Sequence, residues 1–112
     1  MTADYDTDVR AERIVVLEVE HNVIGYLVAW PEDDAYFIEN IGIDPQLQGK
    51  GWGHRLMDHA AVRAAQLRLP ALRLYTNAAM TENLSMYAHL GFVETHRVTE
   101  DGFDRVYMRL IL

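Results

Sequence analysis

Three glycines within five residues, at Gly49, Gly51 and Gly53 of the run Gln48-Gly49-Lys50-Gly51-Trp52-Gly53, separate a strand-like segment ending at Ile43-Asp44-Pro45 from a helix-like one. Beyond that helix comes another strand-like stretch, Ala71 to Thr76. A strand, a crossover helix and a second strand cannot form a hairpin, so this unit requires at least one parallel pair in the sheet. Glycine costs roughly 1 kcal/mol in a helix interior relative to alanine, so three of them at a helix entrance need a compensating reason. One reason is the close approach of a phosphate to bare backbone amides. The other is a merely tight turn with solvated basic residues.

The start of the helix favours the phosphate. No Ser, Thr, Asp or Asn lies within Gln46 to Gly53 to satisfy the first amides. Lys50 and Arg55 put positive charge at the positive end of the helix dipole, a placement that a bound anion offsets. The chain carries −7 overall, yet its charge is uneven: Met1 to Pro45 holds eleven acidic residues against Arg10 and Arg13, while Gln46 to Arg73 holds five basic residues against Asp58. That balance argues against a general nucleic-acid surface. It leaves a basic island on the glycine turn, suited to a small phosphorylated ligand, and an acidic remainder suited to a cationic partner.

Around this unit the rest of the chain alternates between strand and turn signals. Arg13 to Glu20 reads as a strand, His21-Asn22 as a turn, and Val23 to Trp30 as the second arm of a hairpin. Pro31 to Asp34 is a polar turn before a third strand, Tyr36 to Ile43. Val93 to Glu100 and Phe103 to Leu112 form a last hairpin across Asp101-Gly102. In the first helix Leu56, Met57, Ala60, Ala61, Ala64 and Leu67 recur at helical spacing, and Pro70 ends the run. A short second helix, Glu82 to Leu90, presents Leu84, Tyr87 and Ala88 on one side and stops at Gly91. The expected fold is α/β (α+β): a mixed, mainly antiparallel sheet of about six strands with two helices packed on it. Half of the 112 residues are hydrophobic, enough for one domain over 1–112, with 1–10 as a flexible lead-in. The absence of cysteine allows a reducing compartment, with cytoplasm as the default. No apolar stretch reaches membrane-spanning length, and the acidic start is unlike a signal peptide, so no membrane partner is expected.

Spacing separates the known phosphate loops. A nucleoside-triphosphatase loop needs Gly-Lys-Ser/Thr after four intervening residues, which is absent, and a dinucleotide fingerprint counted from Gly49 needs glycine where His54 stands. Ile43-Asp44-Pro45 followed by Gln48-Gly49-Lys50-Gly51-Trp52-Gly53 resembles instead the Gln/Arg-x-x-Gly-x-Gly/Ala acetyl-CoA motif of the GNAT superfamily of N-acyltransferases. Tyr87-Ala88-His89-Leu90-Gly91-Phe92 is similar to that family's Tyr-x-x-x-Gly-Phe element. The resemblance covers about Arg13 to Leu112. Where the family usually has Asn, seven residues before the tyrosine, this chain has Met80, and Asn83 takes the place of a small residue. The strand and two helices with which members usually begin have no counterpart in this reading.

What the resemblance implies is an N-acetyltransferase that moves an acetyl group from acetyl-CoA to a primary amine of a small molecule, amino acid or peptide. The amides of Gln48, Gly49, Lys50, Gly51, Trp52, Gly53 and His54 would hold the cofactor's pyrophosphate, with Lys50 or Arg55 available to outer phosphates. Backbone groups of Ile41, Gly42 and Ile43 would bond the pantetheine arm, and Asn83 would lie along the cofactor. Gly42 has a second reading as a β-bulge glycine. Tyr87 matches the family's proton donor to sulfur, against the alternative of a packed tyrosine with a bonded hydroxyl. Glu39 is the candidate base, against the alternative of a cross-strand salt bridge. Trp52 also reads as core packing, and His54 with Asp58 as a solvated pair, so no metal site is expected. The missing N-terminal elements leave an exposed edge and apolar surface that point to a homodimer. They also keep open a non-catalytic acyl-CoA-binding or protein-interaction module as the alternative function.

Overall fold

The computed structural model describes the backbone of residues 3–7 and the whole of residues 13–112. Seven strands form one sheet: β1 (Ala3–Thr7), β2 (Ile14–Val19), β3 (Asn22–Glu32), β4 (Ala35–Ile43), β5 (Ala71–Asn77), β6 (Val93–Glu100) and β7 (Phe103–Ile111). Their order is β1-β2-β3-β4-β5-β7-β6. Among the described residues only β4 and β5 run parallel, the pair that the glycine crossover demands; every other neighbour is antiparallel. Two helices, α1 (Trp52–Gln66) and α2 (Thr81–His89), join β4 to β5 and β5 to β6.

The sheet has one strand more than expected. Ala3–Thr7, read from sequence as part of a flexible lead-in, pairs with β2 from Ala3↔Val19 to Thr7↔Val15. Without it β2 would present a row of unpaired N–H and C=O groups, and the segment satisfies them whatever its side chains. The remainder of the expected lead-in, residues 1, 2 and 8–10, lies outside the described residues. Six positions separate β1 from β2 in the chain. Two turns also shift. The β2–β3 turn falls on Glu20-His21, whose φ values of 52° and 68° suit the mirror-image turns that match strand twist. Pro31, expected in a turn, stays inside β3 opposite Tyr36.

Both helices lie on one face. Val15, Leu17 and Val19 of β2 are buried, as are Leu72, Leu74 and Thr76 of β5, whereas the residues between them are not. The buried set joins Leu56, Met57, Ala60 and Ala64 of α1, Tyr87 of α2 and Phe92 in one core. Ala88, expected on the buried side of α2, is exposed. Among the described residues no helix covers the opposite face. An aromatic row runs across it from Trp30 through Phe37, Tyr75 and Tyr107 to His96, with ring centroids 4.5–5.9 Å apart. Arg13, Arg73 and Arg105 lie over these rings, at 4.8 Å from Trp30, 5.3 Å from Tyr107 and 4.7 Å from Tyr75. Their alkyl stems shield apolar surface that a helix layer would otherwise bury, while the charged heads stay wet. Arg73 pairs with Glu32, Arg105 with Glu100 and Arg109 with Asp34.

One backbone contact fixes how β3 meets β4. A Cβ on Gly25 would stand 2.9 Å from the carbonyl oxygen of Gly42 and 2.7 Å from Ile43 Cδ1. Backbone cannot step aside as a side-chain tip can, so Gly25→Ala should destabilise the protein by about 1–3 kcal/mol in urea unfolding. Gly42→Ala meets only the end of the Tyr26 ring and should cost less.

Candidate functional site

The parallel pair is short. β4 and β5 are in register only from Tyr36↔Leu72 to Ile38↔Leu74, after which the two strands part and leave a wedge between Glu39–Ile43 and the end of β5. The parting begins at a β-bulge. Val28 pairs with Asn40 and Ala29 with Ile38, so Glu39 is the extra residue on β4. Gly42 is therefore not a bulge glycine: it pairs regularly with Tyr26, whose ring occupies the space where its Cβ would stand, 2.5 Å away.

Strand alternation tells which backbone groups face the wedge. Asp44 N–H donates to Ile24 O on β3 at 2.7 Å, so Gly42 also directs its amide to β3, and Ile41 and Ile43 direct theirs to the opposite edge. Gln48 confirms the geometry, because its side-chain amide reaches Ile43 O at 3.3 Å. That contact gives Gln48 a structural task, tying the loop to the strand end. Of these three residues, Ile41 and Ile43 direct their amides toward the wedge and Gly42 directs its amide to β3.

At the mouth of the wedge lies the glycine turn. Asp44 caps a single 3-10 turn, Pro45–Leu47, and accepts from Gln46 N–H at 2.9 Å. Gly49 and Gly51 then adopt φ values of 79° and 87°, a region that only glycine enters at little cost. Gly51 is the N-cap of α1, and no side chain bonds to the helix start. Arg55 N–H already donates to Gly51 O at 3.1 Å. The amides of Trp52, Gly53 and His54 precede the first intrahelical bond and point out of the helix end, and the first turn holds no acid. Gly53 has no positive φ and its missing Cβ would meet only Ile43 at 3.9 Å, so it leaves space rather than relieving strain.

The side chains of this turn divide their tasks. Trp52 packs against the core on one side and carries the Arg55 guanidinium 4.8 Å from its ring on the other. His54 and Asp58 form an exposed pair at 3.2 Å. Lys50 is exposed. On the other side of the wedge, α2 ends in a left-handed Gly91, φ 104°, with Phe92 N–H donating back to Tyr87 O at 3.0 Å. This closure sets the Phe92 ring edge-on to Tyr87, with centroids 5.7 Å apart. The Tyr87 ring is buried, which pushes its hydroxyl pKa above 10.0 by desolvation. Its hydroxyl bonds to no described residue, and none of their side-chain oxygens is both sealed and unpartnered. Glu39 is exposed and forms no ion pair among the described residues. Tyr87 is thus a packed ring whose hydroxyl bonds to no described residue, and Glu39 a surface carboxylate without a salt bridge among the described residues.

Asn83 lies one turn before Tyr87, and its amide donates to Met80 Sδ at 3.6 Å; buried Thr76 donates to the same sulfur at 3.9 Å. Met80 therefore links the end of β5 to the first turn of α2. Sequence reasoning missed two residues at this site, Gly25 and Tyr26. An isolated glycine inside a strand pattern was the available signal for the first.

A family profile described as an acetyltransferase (GNAT) domain matches residues 10–94. No curated protein matches the sequence. The fold is shared with a GNAT family acetyltransferase from Elizabethkingia anophelis crystallised with acetyl-CoA: TM-score 0.78, 22% identity, 88% of this chain and 75% of that one. Ard1 from Thermoplasma volcanium superposes with TM-score 0.82 at 23% identity over 91% of this chain and 72% of its own. The ribosomal-protein-S18-alanine N-acetyltransferase of Escherichia coli gives 0.75 at 24% identity over 88% and 67%. With its profile match covering most of the sequence and its wedge, glycine turn and Tyr-Gly-Phe closure in place, the chain belongs to the GNAT acetyltransferase family.

Proposed function

We propose that the protein is an acetyl-CoA-dependent N-acetyltransferase acting on a primary amine. The observation that carries this reading is the uncapped start of α1 beside the unpaired half of β4. The free amides of Trp52 to His54 fit a diphosphate, and the wedge-facing backbone of Ile41 and Ile43 fits the two amides of a pantetheine arm. Acetyl-CoA, when bound, supplies an activated acetyl group: an amide bond forms at the amine nitrogen, the carbon–sulfur bond breaks, and one proton passes overall from nitrogen to sulfur.

The chain's own residues serve this exchange as follows. Glu39, exposed at the bulge where the wedge opens, accepts the proton that the amine must lose, directly or through water. Tyr87 holds its proton throughout the neutral range, because burial raises its pKa, and keeps it available at the Oη atom for the leaving group. Lys50 and Arg55 add positive charge beside the helix end. The same reading takes the protein as cytoplasmic and self-associating, the latter through edge strand β6, whose residues Val93 to Arg97 are exposed. No helix among the described residues is long and apolar enough to cross a membrane.

Mixing the protein with acetyl-CoA and a panel of primary amines should release free thiol, measured with a chromogenic disulfide. The other reading is a non-catalytic module that binds acyl-CoA or a partner protein without turnover. Calorimetric binding of CoA with no thiol release from any amine would select that module and sink the enzymatic claim.

A further inference from the structure

Two side-chain donors converge on one sulfur at the start of α2. The hydroxyl of Thr76, at the end of β5, donates to Met80 Sδ at 3.9 Å, and the side-chain amide of Asn83 donates to it at 3.6 Å. A thioether is a weak acceptor, so both donors are held loosely. The backbone that carries the sulfur is held firmly. Met80 N–H donates to Asn77 O at 2.9 Å, Ala79 N–H donates to Asn77 Oδ1 at 2.9 Å, and Met80 O accepts from Leu84 N–H at 3.1 Å. Met80 is nevertheless 51% exposed. The other described methionines lack this combination: Met57 and Met108 are buried, and Met86, exposed on the same helix, has no described donor at its sulfur.

We propose that Met80 is a peroxide-sensitive modification site, whose sulfoxide oxygen is received by Thr76 and Asn83 and thereby holds Asn83 away from acetyl-CoA. The consequence rests on the acetyl-transfer reading above, in which Asn83 lies along the cofactor, and it adds a regulation to that site. A lone pair of the sulfur attacks one oxygen of a hydroperoxide: the S–O bond forms, the O–O bond breaks, and sulfur gives up two electrons. The proton on the transferred oxygen passes to the departing one, which leaves as water or an alcohol. An exposed thioether permits this attack, and what is particular to Met80 is the fate of the product. An ordinary methionine sulfoxide sets a polar group into apolar packing and disrupts it. Here the new oxygen is a strong acceptor at a half-exposed place where two donors already point. In the reduced protein Asn83 leaves a weak partner to turn toward a ligand; in the oxidised protein it must leave a strong one. A methionine sulfoxide reductase restores the thioether.

The test uses the full chain carrying Met86→Leu, treated with hydrogen peroxide until peptide mass analysis shows one added oxygen on Met80 and none on Met57 or Met108. Oxidation should raise the thermal midpoint by about 2–5 °C, the reverse of the usual lesion. In calorimetry it should weaken CoA binding by about fivefold, and treatment with a methionine sulfoxide reductase should return both values. Met80→Gln, which sets a carbonyl oxygen near the place of the sulfur, should shift both in the same direction without peroxide. In Asn83→Ala, oxidation should leave CoA affinity where it was. A lowered midpoint on oxidation, equal CoA affinity of the two forms, or a loss of affinity that survives Asn83→Ala overturns the assignment. Stabilisation by the sulfoxide in a protein that binds no CoA even when reduced keeps the sulfoxide site and refutes the cofactor reading instead.

Discussion

Gly51→Asp should weaken CoA binding about a hundredfold in calorimetry while leaving α1 folded. A Cβ at Gly51 would meet nothing within 4 Å, so crowding by the protein is not the cause. The backbone there has φ 87°, a conformation that costs a non-glycine residue about 1–2 kcal/mol. The larger effect is electrostatic. An aspartate at the N-cap supplies the side-chain acceptor that α1 lacks and so competes with any bound anion for the amides of the helix start. It also sets a second negative charge beside the diphosphate, where two unit charges about 4 Å apart repel by about 4 kcal/mol at a surface-like dielectric. Screening at an exposed turn reduces that figure, which leaves about 2.7 kcal/mol, or a hundredfold. Gly51→Ala carries the strain without the charge and should lose no more than about tenfold. Equal losses for the two variants, or unchanged affinity in Gly51→Asp, would remove the phosphate from this helix end.

The second large effect is expected at Tyr87. Tyr87→Phe keeps the buried ring and its edge contact with Phe92 but removes the hydroxyl, which bonds to no described residue. Stability should therefore move little, within about 0.5 kcal/mol, because no hydrogen bond is broken. Turnover should fall by about a hundredfold if this hydroxyl donates the proton to the leaving group, with the affinity for CoA unchanged. An equal fall in kcat and in thermal stability would make Tyr87 a packing residue only. The pH dependence has a definite sign. The unfolded hydroxyl titrates near 10.0 and the folded one higher, so the stability contributed by the neutral form is complete below pH 10 and lost as pH rises through the folded value. In Tyr87→Phe that alkaline loss should diminish. Activity of the wild type should not decline through loss of this proton anywhere near neutrality.

Much of this molecule can be read from short stretches of sequence. The run from Gln48 to Gly53 dictates two left-handed glycines and a helix with no capping side chain, and both follow from conformational cost and hydrogen-bonding inventory within a few residues. The parallel pair follows from connectivity, the β6–β7 hairpin from Asp101-Gly102, and the closure of α2 from Gly91. Where the reading depended on partners distant in the chain, it shifted. Ala3–Thr7 is a strand because β2 offers a free edge, not because of its own acidic composition. Pro31 remains in β3 because Tyr36 lies opposite it. Ala88 has helical spacing with Leu84 yet is exposed, since spacing alone does not tell how wide the buried stripe is.

The candidate site divides in the same way. By itself the sequence determined the glycine turn with its left-handed Gly49 and Gly51, the helix start without a capping side chain, and the Tyr87 to Phe92 segment that closes α2. Only the tertiary structure decided that β4 leaves β5 after Ile38, that Glu39 is the bulged residue at the parting, and that Ile41 and Ile43 face the wedge while Gly42 turns to β3. It also decided that Tyr26 lies over Gly42 and that, among the described residues, arginines and not helices cover the second face. The reason is physical: turn and cap preferences are paid within a few adjacent residues, whereas strand register and the place where two strands separate depend on hydrogen bonds and contacts between residues tens of positions apart, which no local pattern encodes.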